Sequence, residues 1–168
     1  MKSPRYFFGF MFALSLVHYL DAATTNYLIQ NVQGEEINWT VDTSTFWTIL
    51  FSPGPMLVFL AALWGLYSAE CNPTEAVYRV HNNGWWRFLF ASPYLYLSMI
   101  TFVVTSNTSI VLGNGSFIGW LELFVGDQLF LGVCLMFSVW SMIALPFIER
   151  YLKRRFPLPL EMDPEESI

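Results

Sequence analysis

The class of fold is set by residues 88–112, FLFASPYLYLSMITFVVTSNTSIVL, a stretch that is mostly apolar and carries no charge. About 20 such residues in a helix cross the hydrocarbon core of a bilayer. The apolar residues follow one another instead of alternating with polar ones, as they do in a transmembrane β-barrel strand. Since every backbone group in lipid must bond within its own segment, the stretch predicts a membrane-spanning α-helix.

Three similar runs accompany it. The predicted spans are residues 7–30, 45–67, 88–112 and 122–148, the last preceded by an interfacial segment from about residue 117. We therefore expect an all-α integral membrane four-helix bundle over residues 1–155. Residues 156–168 are rich in proline and acidic side chains, which predicts a disordered cytoplasmic tail.

The composition agrees with a lipid environment. Hydrophobic residues make up 55% of the chain and charged residues 12%, whereas a soluble domain carries about 25% charged residues. This composition excludes a nucleic-acid-binding protein, a secreted disulfide scaffold and a soluble enzyme of ordinary design. The lipid bilayer is the first expected partner.

All basic side chains fall on one side of the four-span arrangement. They are Lys2, Arg5, Arg79, Arg87, Arg150, Lys153, Arg154 and Arg155. The positive-inside rule then predicts that both termini and the loop between the second and third spans are cytoplasmic. We expect the plasma membrane to be the location. The last four of these residues form a candidate anchor for anionic lipid headgroups.

A helix-breaking sequence, Pro53-Gly54-Pro55, lies inside the second predicted span. Each proline removes a backbone donor and crowds the preceding turn, so the break must be repaired by neighbouring groups. One interpretation is a flexible element that lines a binding cavity. The other is a kink or short re-entrant start near the outer surface.

Polar side chains also lie inside the first predicted span. At 100° per residue, His18, Asp21 and Thr25 fall on one face of a helix, which we expect to point into the bundle. Glu122 and Asp127 of the fourth span are the expected partners. Three roles are open: hydrogen bonding between helices, handling of protons or ions, and metal or catalytic chemistry.

No known catalytic motif is present. The chain lacks a P-loop, a G-x-S-x-G elbow and an H-E-x-x-H sequence. Its two histidines, His18 and His81, are predicted on different sides of the membrane boundary and could not together hold a haem. We expect no cofactor and no resident metal, and we lean toward a protein that is not an enzyme.

The N-terminal part resembles a prokaryotic family of small polytopic membrane proteins of unknown function. The similarity is carried by Leu20-Asp21-Ala22-Ala23-Thr24-Thr25, by Glu36-Ile37-Asn38 and by Val103-Val104-Thr105-Ser106-Asn107. Trp39 stands where the family has a proline. The resemblance covers about residues 10–112 and brings no known activity. It implies that Asp21, Thr25, Glu36 and Asn38 act together at the outer mouth of the bundle.

Two functions follow as hypotheses. The first is a non-catalytic accessory or assembly subunit, with a protein partner in a larger membrane complex or with further copies of itself. The second is a small carrier or ion-coupled binding protein that uses the stripe of His18, Asp21 and Thr25. A weaker third hypothesis is an intramembrane metal-dependent enzyme.

Overall fold

The computed structural model describes residues 3–31, 44–82, 84–114 and 129–158. Within these ranges lie six helices: α1 (Pro4–Asn31), α2 (Phe46–Leu50), α3 (Pro53–Cys71), α4 (Pro73–Asn82), α5 (Gly84–Val111) and α6 (Leu129–Arg155). Four segments are long and apolar enough to cross a membrane, namely Pro4–Asn31, Pro53–Cys71, Gly84–Val111 and Cys134–Arg155. For the described residues, the predicted all-α class with four candidate spans is confirmed.

The helix bounds differ from the predicted spans by a few residues, and the second and fourth spans show the largest differences. The second predicted span, residues 45–67, is divided into α2 and α3, and α3 continues to Cys71. The fourth helix continues to Arg155, and Phe156 beyond it is 1% exposed in a core cluster. The packed part of the chain therefore extends past residue 155, where we predicted the tail to begin. Residues 122–128 and 159–168 lie outside the described residues.

α5 is the central helix, in contact with α1, α3, α4 and α6. Its closest approach is to α3 at Gly65, where an added Cβ would lie 2.2 Å from the Leu89 carbonyl oxygen and 2.9 Å from Ser92 Oγ. Pro93, inside α5, cannot donate to that carbonyl, and the Ser92 hydroxyl donates to it instead at 2.7 Å. A glycine opposite a proline-freed carbonyl thus lets two membrane helices pack backbone to backbone.

Several chain segments meet at the basic end of the bundle, where Ser3, the end of α3, α4, the start of α5 and the end of α6 come together. The Ser3 amide donates to Glu70 at 3.3 Å, and Arg87 lies 3.9 Å from Glu149. α4 is a short helix between the second and third candidate spans. It turns Ala76 and Val80 inward against Phe156 and its neighbours.

α6 is the least enclosed of the four candidate spans. Only 6% of the α6 span is buried inside the protein, against 33% of the α3 span. Leu152 is buried at the C-terminal end of the helix, and Phe156, just beyond that end, is buried as well. Six large apolar side chains farther along the helix are exposed: Leu135, Val139, Trp140, Met142, Ile143 and Phe147.

Candidate functional site

The helix break predicted at Pro53-Gly54-Pro55 separates α2 from α3. α2 begins with a capping box in which Thr45 and Thr48 bond each other's backbone amides. It ends at Leu50, and the chain turns through Phe51 and Ser52 before α3 starts. Pro53 occupies the first turn of α3, where its missing N–H costs nothing. The break therefore lies directly before the segment that is long and apolar enough to cross a membrane, Pro53–Cys71.

Trp47 O keeps its usual helical donor, the Phe51 amide, at 3.0 Å. The break leaves the next three carbonyls of α2 without theirs, and each of them finds a replacement. Ile49 O accepts from the Ser52 amide at 3.2 Å. Thr48 O accepts from the Ser52 hydroxyl at 2.6 Å. The last carbonyl, Leu50 O, accepts from the imidazole of His18 on α1 at 3.0 Å.

His18 is buried, with 5% of its surface exposed. Besides its contact from Nε2 to Leu50 O, its Nδ1 lies 2.6 Å from the Tyr96 hydroxyl on α5. The ring stacks on Phe59 of α3, with centroids 4.6 Å apart and planes 9° from parallel. One side chain therefore joins α1 to α2, α3 and α5.

These contacts fix the proton positions of the neutral ring. A carbonyl only accepts, so Nε2 carries the proton that it donates to Leu50. Nδ1 then accepts, and the Tyr96 hydroxyl donates to it. With both nitrogens engaged, His18 is not available as a metal ligand or a general base without losing a hydrogen bond. In the described part of the chain, no three side chains of His, Cys, Asp or Glu form a group that could hold a metal ion.

The other members of the predicted stripe also face α5. Asp21 is half-buried and lies near Tyr96. Thr25 is half-buried and accepts a hydrogen bond from the Asn107 amide at 3.3 Å. The structure thus brings His18, Asp21 and Thr25 to one helix contact, with partners on α5 and at the end of α2.

Some predicted site residues cannot be placed. Glu122 and Asp127, the partners expected from the fourth span, lie outside the described residues. The same holds for the outer-loop candidates Glu36 and Asn38.

The candidate lipid anchor is divided by the structure. Arg150, Lys153 and Arg154 are exposed. Arg155 turns inward, where its Nε and Nη2 donate to Glu70 at 3.0 and 2.5 Å, and its side chain is 16% exposed. The prediction that Arg155 faces lipid headgroups is therefore corrected. Its guanidinium is held by a carboxylate inside the protein.

Sequence reasoning did not single out the polar cluster around this ion pair. Glu70 is 1% exposed, and the Arg155 guanidinium lies 3.7 Å from the centre of the Tyr6 ring. The Tyr6 and Tyr94 hydroxyls are 2.6 Å apart, and Tyr151 donates to Tyr6 at 3.4 Å. We call Glu70, Arg155, Tyr6, Tyr94 and Tyr151 the basic-end cluster. The signal available in sequence was an acidic residue at the end of an apolar run, which also fits a solvated loop.

These features define a class: a small all-helical protein with four helices long and apolar enough to cross a membrane, in which His18, Thr25 and Glu70 bind polar groups of other helices. No protein-family model matches the chain, and no curated protein and no solved structure matches it. The resemblance to a prokaryotic family of small membrane proteins stays a prediction.

Proposed function

We propose that this protein is a non-catalytic accessory subunit that binds a larger membrane protein through α6. The supporting observation is the uneven enclosure of the four candidate spans, with 6% of the α6 span buried against 17–33% of the other three. A helix fastened at one end and packed on one side has room for a second neighbour. Docking there requires no rearrangement of the other helices.

The exposed face of α6 has the composition of a protein contact. It carries Met142 and Phe147, which are 75% and 66% exposed, and at its edge Trp140, which is 48% exposed and whose indole N–H donates to Ser98 of α5 at 3.1 Å. Aromatic and methionine side chains are enriched in protein interfaces, because they offer large contact areas and adapt to the partner's shape. We take the partner to be a different membrane protein with an apolar helical surface.

The state of the interior polar groups supports a non-catalytic role. His18 uses both ring nitrogens to join helices, and Glu70 is paired with Arg155. A general base or nucleophile needs a group that can reach a substrate. In the described bundle, these titratable side chains are committed to structural contacts.

The carrier hypothesis ranks second, because carriage needs a polar route between the two ends of the bundle. Tyr6, Phe10, Leu14 and His18 succeed one another on one face of α1. Between the polar groups of Tyr6 and His18 lies an apolar layer with Leu14 fully buried and Leu66 2% exposed. This layer separates the basic-end cluster from the contacts of His18.

The proposal extends to orientation and location. The described cations lie on helix ends and on α4 at the basic end, which we place in the cytoplasm by the positive-inside rule, with the plasma membrane as location. A fluorescent reporter that matures only in the cytoplasm, fused after Ile168, should be bright in the plasma membrane fraction. A dark fusion, or signal in another membrane, contradicts this placement.

The subunit proposal is tested by photo-crosslinking in the native membrane. A photoreactive residue replaces Phe147 on α6 or, as a matched control, Leu57 on α3, since the two side chains are 66% and 67% exposed. We expect the α6 position to give one protein adduct of defined mass and the α3 position to give lipid adducts. The partner is identified by mass spectrometry after a mild-detergent pull-down.

Three outcomes contradict the proposal. An adduct whose mass is twice that of the chain identifies a homo-oligomer. Equal patterns from both positions mean that α6 faces lipid as α3 does. A protein that purifies as a monomer, with unchanged abundance when it is made alone, has no partner on which its stability depends.

A further inference from the structure

The charged side chains described at the basic end fall into two groups. Each carboxylate described there is paired with an arginine: Glu70 with Arg155, Glu75 with Arg79 and Glu149 with Arg87. Four further cations are exposed, and none of them forms an ion pair with a described residue: Arg5, Arg150, Lys153 and Arg154. This end of the bundle therefore carries positive charge that no described carboxylate neutralises.

Three of these exposed cations lie on one face of α6. Arg150, Lys153 and Arg154 occupy positions i, i+3 and i+4, which at 100° per residue confines them to an arc of about 100°. The Cβ atoms of residues at these spacings are about 5–6 Å apart. Arg155 lies about 140° from Arg150, on the side where Glu70 accepts its hydrogen bonds. The ion pair thus fixes the rotation of α6 and turns the other three cations outward.

The cationic face follows directly on the exposed apolar face of α6. Ile143 and Phe147, which are 56% and 66% exposed, lie two turns and one turn before Arg150, within about 60° of it around the helix. From Arg150 to Arg154 the helix rises about 6 Å. The headgroup layer on each side of a bilayer is about 5–8 Å thick. The face therefore changes from apolar to cationic as a bilayer changes from hydrocarbon to headgroups.

We propose that Arg150, Lys153 and Arg154 bind the headgroup of an anionic phospholipid at the basic end of α6. Arginine presents a planar fork of donors that matches phosphate oxygens, and Lys153 adds a third positive charge. The position of the cations directly after an apolar span favours a lipid headgroup over a soluble anion. The proposal does not depend on the protein partner, since that partner would contact α6 at Met142 and Phe147, before these cations.

The test counts the lipids bound to the purified full chain by native mass spectrometry. The chain, in a non-ionic detergent, is titrated with phosphatidylglycerol or with phosphatidylcholine of identical acyl chains, so that only the headgroup differs. We expect phosphatidylglycerol to bind more tightly. Arg154→Gln should weaken its binding about fivefold, the usual contribution of one basic residue at an anionic membrane surface. A variant with Gln at positions 150, 153 and 154 should bind the two lipids alike.

Single variants keep the test decisive if the triple variant fails to fold. Arg5→Gln is the matched control, because it removes one exposed cation from α1 at the same end, and it should bind as the wild type does. Arg154→Lys keeps the charge and should retain the preference for phosphatidylglycerol. The proposal is overturned if the wild type binds both lipids equally, or if Arg5→Gln weakens binding as much as Arg154→Gln.

A protein ligand for the cations gives a different result. If the triple variant keeps its preference for phosphatidylglycerol but loses the protein crosslinked at position 147, the cations bind an acidic segment of that protein. This outcome also overturns the lipid site.

Discussion

α3 and α6 both pack against α5, but they are held there in different ways. α3 approaches α5 closely at Gly65, against the Leu89 carbonyl, and a third of its span is buried. α6 is held at its C-terminal end by Arg155 on Glu70 and by Leu152 and Phe156 in the core, and nearer its middle Trp140 donates to Ser98 of α5 at 3.1 Å. The part of the α6 span that precedes Leu152 in the chain is largely exposed.

The difference shows two ways of joining helices in lipid, where apolar surface alone gives no preference for protein over bilayer. Small residues let backbones approach, and the many dispersion contacts then act along the whole length of the pair. A buried ion pair acts at one point and leaves the remaining helix surface available. α3 therefore belongs to the core of this protein, while α6 can also take part in a contact outside it.

Among the variants that test this difference between α3 and α6, removal of the Arg155 side chain should change the free energy of unfolding most. Arg155→Ala leaves the Glu70 carboxylate buried without its cation, which costs about 3–5 kcal/mol in buried pairs. Arg154→Ala, on an exposed neighbour, should change the free energy of unfolding by less than about 0.5 kcal/mol. Steric trapping or SDS titration measures both values. Equal values would mean that the ion pair does not fasten α6.

A side chain at Gly65 tests the α3 contact. Gly65→Ala should force α3 and α5 apart and destabilise the protein by about 1–3 kcal/mol, the usual cost of overpacking. Gly9→Ala is the matched control, because a Cβ there meets nothing within 4 Å. The same unfolding assay applies. A neutral Gly65→Ala variant would show that the helices do not depend on close approach.

The two histidines allow hydrogen bonds in the interior of the bundle, made by His18, to be compared with one near the end of α6, made by His81. His18→Ala removes the hydrogen bonds to Leu50 and Tyr96, and should cost about 1–2 kcal/mol at roughly 0.6 kcal/mol or more per bond. His81→Ala removes one half-buried bond, to Phe156 O near the end of α6, and should cost less. If the His81 variant proves the more damaging, the bond between α4 and the end of α6 stabilises the protein more than the two bonds of His18 do.

Trimming exposed apolar side chains should have the smallest effect on stability. Phe147→Ala and Leu57→Ala should each alter the free energy of unfolding by less than about 0.5 kcal/mol, since both residues face outward. Co-purification of a partner should fall with Phe147→Ala alone. A similar loss in both variants, or in neither, removes the distinction between the outer faces of α6 and α3.

The sequence was sufficient to predict which segments form helices, and it was insufficient to predict how those helices contact one another. Continuous apolar runs predict each span, because lipid admits few other structures. The bounds shift by a few residues where α1 starts at Pro4 and α6 continues to Arg155, since helices extend beyond the hydrocarbon layer. Hydropathy predicts which residues lie in the hydrocarbon layer, and it does not predict where the helix ends.

The features that could not be predicted from the sequence depend on tertiary contacts. Glu70 and Arg155 are 85 residues apart, and each is flanked by residues typical of a solvated boundary. His18 and the proline break were both conspicuous, but their connection is a hydrogen bond to the backbone of Leu50. A backbone acceptor has no signature in the amino-acid letters, so that contact depends on how α1 and α2 cross.

The bond from His18 to Leu50 O also bears on how this chain can evolve. Loss of His18 alone leaves the last α2 carbonyl without a donor, whereas a continuous helix through residues 50–54 would make that donor unnecessary, since Leu50 O would accept from the Gly54 amide. The effects of the two changes are thus epistatic. Loss of His18 is acceptable in a chain whose helix is continuous through residues 50–54, and a continuous helix is acceptable in a chain without His18. Relatives of this chain should therefore retain both features or have lost both.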